Sequence, residues 1–81
     1  MTIKVLIFGM AKDLIGEAQV TLKIQSDSVK TAELKQLLLT KYPRLHEASS
    51  FMIAVNKVYS NNDTVIKNND EVAIIPPTNG G

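Results

Sequence analysis

The chain has 81 residues and a formal net charge of +1, with acidic and basic side chains interspersed. That length allows one domain burying only about 60% of its unfolded surface, which excludes a large enclosed active site and points to a module of a larger machine. The weak charge, the two Phe and two Tyr, and the absence of cysteine exclude a basic nucleic-acid or membrane footprint, disulfides, thiolate metal sites and a thiol nucleophile.

Thr2 to Phe8 reads as a strand, with Ile3, Val5 and Ile7 on one face and Lys4, Leu6 and Phe8 on the other, both partly apolar as in a central strand. Residues 9–17 break the pattern, with one helical turn at Lys12 to Ile15 that Gly16 ends. Ala18 to Ile24 alternates, Val20, Leu22 and Ile24 inward, and predicts a half-buried strand antiparallel to the first. Ser26, Asp27 and Ser28 offer capping oxygens before a helix whose buried stripe is Leu34, Leu37, Leu38 and Tyr42, and which Pro43 stops. Phe51 to Val55 is a third strand, turning at Asn56 and Lys57 into Val58 and Tyr59. The triplets Asn61 to Asp63 and Asn68 to Asp70 are turns around a short Val65–Ile66 segment. Glu71 to Ile75 is the last strand, again apolar on both faces, and it runs straight into Pro76, Pro77, Thr78, Asn79, Gly80 and Gly81.

This order predicts an α+β fold of β-grasp, ubiquitin-like type: a mixed sheet with one main helix packed across one face, and the first and last strands side by side in its middle. The domain is residues 1–75 and the extended tail residues 76–81. The face away from the helix would then display Leu6, Phe8, Ala73 and Ile75, either as a partner surface or under loop 9–17 and neighbouring side chains. In the tail, two prolines favour an extended stalk, six residues reach roughly 20 Å, and two glycines without Cβ fit a channel too narrow for side chains. A frayed end is the plain alternative. His46 is a lone surface histidine, and Gly9 and Gly16 lack the partners of a phosphate loop. No metal site is expected. No apolar run reaches the ~18 residues of a membrane span and no charged leader precedes the first strand, so no membrane and a cytoplasmic location are expected.

Ile3 to Phe8 with Leu14 and Gly16 behind it, Ala54-Val55-Asn56, and Asp70 to Pro77 ending in Gly80-Gly81 resemble the small, sulfur-carrying subunit of molybdopterin synthase. The likeness covers the whole chain. Members often have Asp-Gly before the last strand and Val-Ser before the glycines, where this chain has Asn68-Asn69 and Thr78-Asn79; Asn tolerates a left-handed turn almost as Gly does. The resemblance implies chemistry at the Gly81 carboxylate, with Gly80 beside it. A ubiquitin-activating-type adenylating enzyme would join the carboxylate to AMP using ATP and Mg²⁺, a sulfur donor protein would supply sulfur, and the resulting thiocarboxylate would act in the synthase large subunit on cyclic pyranopterin monophosphate. This chain would bind no cofactor and would not be an enzyme by itself. Phe8 and Ile75 fall at apolar interface positions, Pro76, Pro77, Thr78 and Asn79 on the tail's path into the partner, and Lys12 at a basic position that either pairs with a partner's acid or is simply solvated. Three alternatives stay open: a sulfur carrier of thiazole synthesis, a ubiquitin-like modifier of protein lysines, and a β-grasp interaction module without chemistry.

Overall fold

The computed structural model describes residues 1–48 and 51–75. Strand β1 (Thr2–Ile7) turns its alternate residues Ile3, Val5 and Ile7 fully inward. It passes through Phe8 into the short helix α1 (Gly9–Ile15), longer than the single turn the sequence suggests. Gly16 ends that helix at φ +87, donating its N–H to the Lys12 carbonyl at 2.8 Å. A side chain there would meet no atom within 4 Å, so the backbone conformation alone is what favours glycine. Strand β2 (Gln19–Lys23) returns antiparallel to β1, with Val20 and Leu22 buried.

Next comes an element the sequence does not disclose. Ser28–Lys30 form a three-residue strand, β3, which pairs antiparallel with β6 (Val65–Lys67) in a ribbon apart from the main sheet. Only Val29 of β3 points inward, so there is no alternation to read. Helix α2 (Thr31–Lys41) therefore starts later than the expected serine and aspartate caps. Its first turn is secured by Glu33, whose carboxylate accepts the Lys30 N–H at 3.0 Å, and by Thr31, whose hydroxyl donates to the Thr64 carbonyl at 3.0 Å. Ser26 stays in the preceding turn, accepting the Ser28 N–H at 3.4 Å.

The buried stripe of α2 is Thr31, Leu34 and Leu38, with Tyr42 partly covered just beyond. Leu37, expected inside, is exposed. At about 100° per residue it lies well off the line through Leu34 and Leu38. Pro43 opens a 3₁₀ turn, Pro43–Glu47, that drops Leu45 into the core.

Strands β4 (Met52–Val55) and β5 (Val58–Tyr59) form a hairpin in which Val55 faces Val58 across Asn56 and Lys57, both at positive φ (52° and 69°). That is the two-residue turn whose twist suits adjacent strands. Strand β7 (Val72–Ile75) runs parallel to β1 on one side and antiparallel to β4 on the other. The five-stranded sheet has the order β2-β1-β7-β4-β5, with α2 across one face: the mixed β-grasp sheet expected. Val5, Ile7, Leu34, Leu38, Leu45, Ile66, Val72 and Ile74 are all but inaccessible and form its core. Each such side chain contributes about 1.5–3 kcal/mol of burial. No helix among the described residues is long and apolar enough to cross a membrane.

Candidate functional site

β7 is the middle strand, and everything that surrounds it fixes where residue 75 hands over to the tail. Its sides are bonded to β1 and β4. Its start is tied down separately. The Asn56 main-chain N–H donates to the Glu71 carbonyl at 2.7 Å, its side-chain oxygen accepts the Glu71 N–H at 2.9 Å, and its side-chain amide donates to Asp70 Oδ1 at 3.1 Å. The other Asp70 oxygen accepts the Lys67 N–H at 2.7 Å. These donors, the Lys67 amide first and Asn56 second, hold the Asp70 carboxyl below its ordinary 3.8. Asn69 sits between at φ 73, in the left-handed conformation that asparagine tolerates almost as glycine does.

The sheet face away from α2 is partly apolar, as expected. One row crosses all five strands as Gln19, Leu6, Ala73, Ala54 and Tyr59. The next begins with Phe8, whose N–H donates to the Ile74 carbonyl at 3.2 Å and so extends the β1–β7 ladder; Ile75 follows, opposite Met52. Phe8 is 49% exposed and Met52 41%, while Leu6, Ala73 and Ile75 are half-buried. Neither loop 9–17 nor neighbouring side chains bury this patch. Tyr59, opposite Ala54 and exposed, enlarges it. Sequence reading missed Met52 and Tyr59; Met52 and Ala54 share one face of β4, which joins this patch only because β4 borders β7.

Of the expected site residues, Phe8 and Ile75 are therefore brought together beside the end of β7. Lys12 lies exposed on α1, which packs against β7 and the 3₁₀ turn. Pro76, Pro77, Thr78, Asn79, Gly80 and Gly81 lie outside the described residues. Among the described residues no three His, Asp or Glu side chains are grouped to hold a metal ion, and no buried side-chain polar atom lacks a hydrogen-bond partner. What the domain presents is a rigid apolar surface around one strand end.

Comparison with known proteins identifies that surface's setting. The model of the ThiS family matches residues 5–81. The chain is 41% identical to the molybdopterin synthase sulfur carrier subunit of Arabidopsis thaliana, over 98% of this chain and 82% of that protein. Among solved structures, SAMP1 from Haloferax volcanii superposes with a TM-score of 0.83 over 100% of both chains at 16% identity, a likeness of fold alone. A chain of the complex of subunits 1 and 2 of molybdopterin-converting factor from Helicobacter pylori 26695 aligns over 100% of both chains with a TM-score of 0.69 and 28% identity. The resemblance read from Ile3 to Phe8 and from Asp70 to Pro77 thus extends along the chain, which belongs to the ThiS family, among its molybdopterin synthase sulfur carrier subunits.

Proposed function

We propose that this chain carries sulfur for molybdenum cofactor synthesis on the carboxylate of Gly81, and that the β-grasp domain is the handle that aims it. A free carboxylate is a poor electrophile. An adenylating enzyme of the ubiquitin-activating type therefore joins it to AMP, consuming ATP with Mg²⁺ and releasing pyrophosphate. The outer sulfur of a donor protein's persulfide then displaces AMP, and a reducing thiol cleaves the resulting acyl disulfide to leave a thiocarboxylate, which is ionised at neutral pH and is a nucleophile without a neighbouring base. In the synthase large subunit that sulfur attacks cyclic pyranopterin monophosphate. The chain itself holds no cofactor and supplies no acid or base.

The observation that carries this reading is the position of β7, laddered on both sides, latched at its start by Asn56, and ending at Ile75 amid exposed apolar side chains six residues before Gly81. Docking through Phe8, Ile75, Leu6 and Met52 orients that end. Pro76 and Pro77 then direct the tail, Thr78 and Asn79 align its backbone in the partner, and Gly80 and Gly81 pass the narrowest point. A sulfur held this way reacts as though highly concentrated. Lys12, exposed on α1, pairs with an acid of a partner.

The test is the intact mass of the chain after incubation with ATP, Mg²⁺, a sulfur source and its activating enzyme, against the same mixture without ATP. An ATP-dependent gain matching one oxygen replaced by sulfur, localised to Gly81, is the expected result. No gain with an activating enzyme competent on another carrier overturns the reading.

A further inference from the structure

Three methionines, Met1, Met10 and Met52, are the only side-chain sulfurs of this sequence, which has neither cysteine nor tryptophan. The fold gives them three different settings. Met1 is half-buried and packs against the core. Met10 lies on the first turn of α1 and, at 58% exposure, is more accessible than Met52 at 41%. Met52 opens β4, directly opposite Ile75 across the β4–β7 ladder. Ile53 and Val55 turn into the core, so Met52 turns to the other face, the one that carries Leu6 and Phe8.

An accessible thioether takes one oxygen from hydrogen peroxide. The sulfur lone pair attacks one peroxide oxygen, the S–O bond forms as the O–O bond breaks, and that oxygen passes its proton to the other, which leaves as water. Sulfur loses two electrons and peroxide gains them. A flexible apolar side chain thereby becomes a polar one with a strong acceptor oxygen. At Met10 that oxygen stays in water. At Met52 it enters the apolar face, where Ile75 opposite and Ala54 on the same side of β4 carry no side-chain donor for it.

We propose that Met52 is a reversible oxidation site through which hydrogen peroxide weakens docking to the synthase large subunit, the thioether form binding tightly and the sulfoxide form poorly. The inference rests on reading the Phe8, Ile75 and Met52 face as the docking surface. Methionine sulfoxide reductases, one for each sulfoxide epimer, restore the thioether while a dithiol becomes a disulfide. The fold is indifferent to the change, because Ile53 and Val55 anchor β4 in the core and the pairing with Ile75 is made by main chain. Docking covers the sulfur that oxidation needs, so the switch acts on the free chain.

The full chain with Gly81 as its carboxylate is treated with hydrogen peroxide, the sulfoxides are located by peptide mass, and the Kd for the synthase large subunit is measured by calorimetry. Oxidation of Met10 and Met52 ahead of Met1 is expected, with an unchanged melting temperature and a Kd raised about tenfold or more. Met10→Leu should lose affinity on oxidation as the parent does. Met52→Leu, whatever its starting affinity, should no longer respond to peroxide. Reductase with dithiothreitol should return the parent Kd. In the preformed complex, Met52 should resist a peroxide dose that oxidises Met10. The proposal is overturned if Met52 stays a thioether while Met10 is oxidised in the free chain, if the fully oxidised chain binds as the parent does, or if lost binding accompanies a lost fold. Phe8→Ala separates this inference from the reading beneath it. Weakened binding in that variant with none on Met52 oxidation overturns the switch alone, whereas full-strength binding in both overturns the docking face as well.

Discussion

Asn56 and Asp70 meet at 3.1 Å between two turns that are far apart in sequence, and the Asn56 oxygen accepts the Glu71 N–H at 2.9 Å in the same contact. The hairpin turn of β4 and β5 is thereby pinned to the turn that launches β7. Asn56→Ala removes both side-chain bonds and puts a Cβ-bearing residue without local hydrogen bonding at φ 52. A loss of about 1–3 kcal/mol is expected, read as a fall in the urea midpoint at unchanged m-value. Asn56→Gly should lose less, because only the hydrogen bonds go.

Asp70 gives the acid limb of stability. Its folded pKa is lowered from 3.8 by the Lys67 N–H and the Asn56 amide. The sign follows from linkage: the stabilisation is fully present above the unfolded value and is lost as pH falls through the folded one. Urea midpoints recorded downward from neutral pH should begin to fall near pH 4, about the ordinary carboxylate value. Asp70→Asn should be less stable at neutral pH and should flatten that fall.

Lys57 occupies a left-handed position, φ 69, that glycine adopts without steric cost. Lys57→Gly yields the Asn-Gly pair favoured in two-residue hairpins and should stabilise the fold by about 1 kcal/mol. An unchanged or lowered melting temperature would show that the Lys57 side chain makes a contribution its exposed position does not reveal.

Phe8 is half exposed while its backbone completes the β1–β7 ladder. Phe8→Ala should leave urea unfolding within about 0.5 kcal/mol of the parent and weaken binding to the synthase large subunit by about 2 kcal/mol. Calorimetry against that subunit checks it, with Val58→Ala on the far edge strand as a control expected to bind normally.

Gly81→Val should abolish sulfur transfer with no change in the melting temperature, because the core among the described residues is already complete between Ile3 and Ile74. On the proposed reading the added side chain would have to enter a channel that admits only glycine. Retained transfer by this variant would remove the reason for the terminal glycines.

Much of the domain was legible from local pattern. Period-two alternation marked β1 and β2, Pro43 marked the end of α2, and Asn56-Lys57 marked the hairpin, since each depends on nearest neighbours along the chain. Apolar residues on both faces of the first and last strands foretold their adjacency. The ThiS-family motif at residues 70–81 pointed to the carrier chemistry, which no spacing of side chains could have done.

Tertiary structure decided the rest. β3 exists because Val29 has Ile66 to pair with, a contact across 37 positions that three residues cannot announce. Leu37 was released to the surface because Leu34, Leu38 and Leu45 fill the space under the sheet. Met52 joined Phe8 and Ile75 only when β7 inserted between β1 and β4. The sequence by itself determined most of the strands, the main helix and the turns, though not β3, because backbone sterics and periodicity act locally. Which faces meet, and so which apolar side chains remain for partners, rests on long-range burial that only the assembled sheet settles.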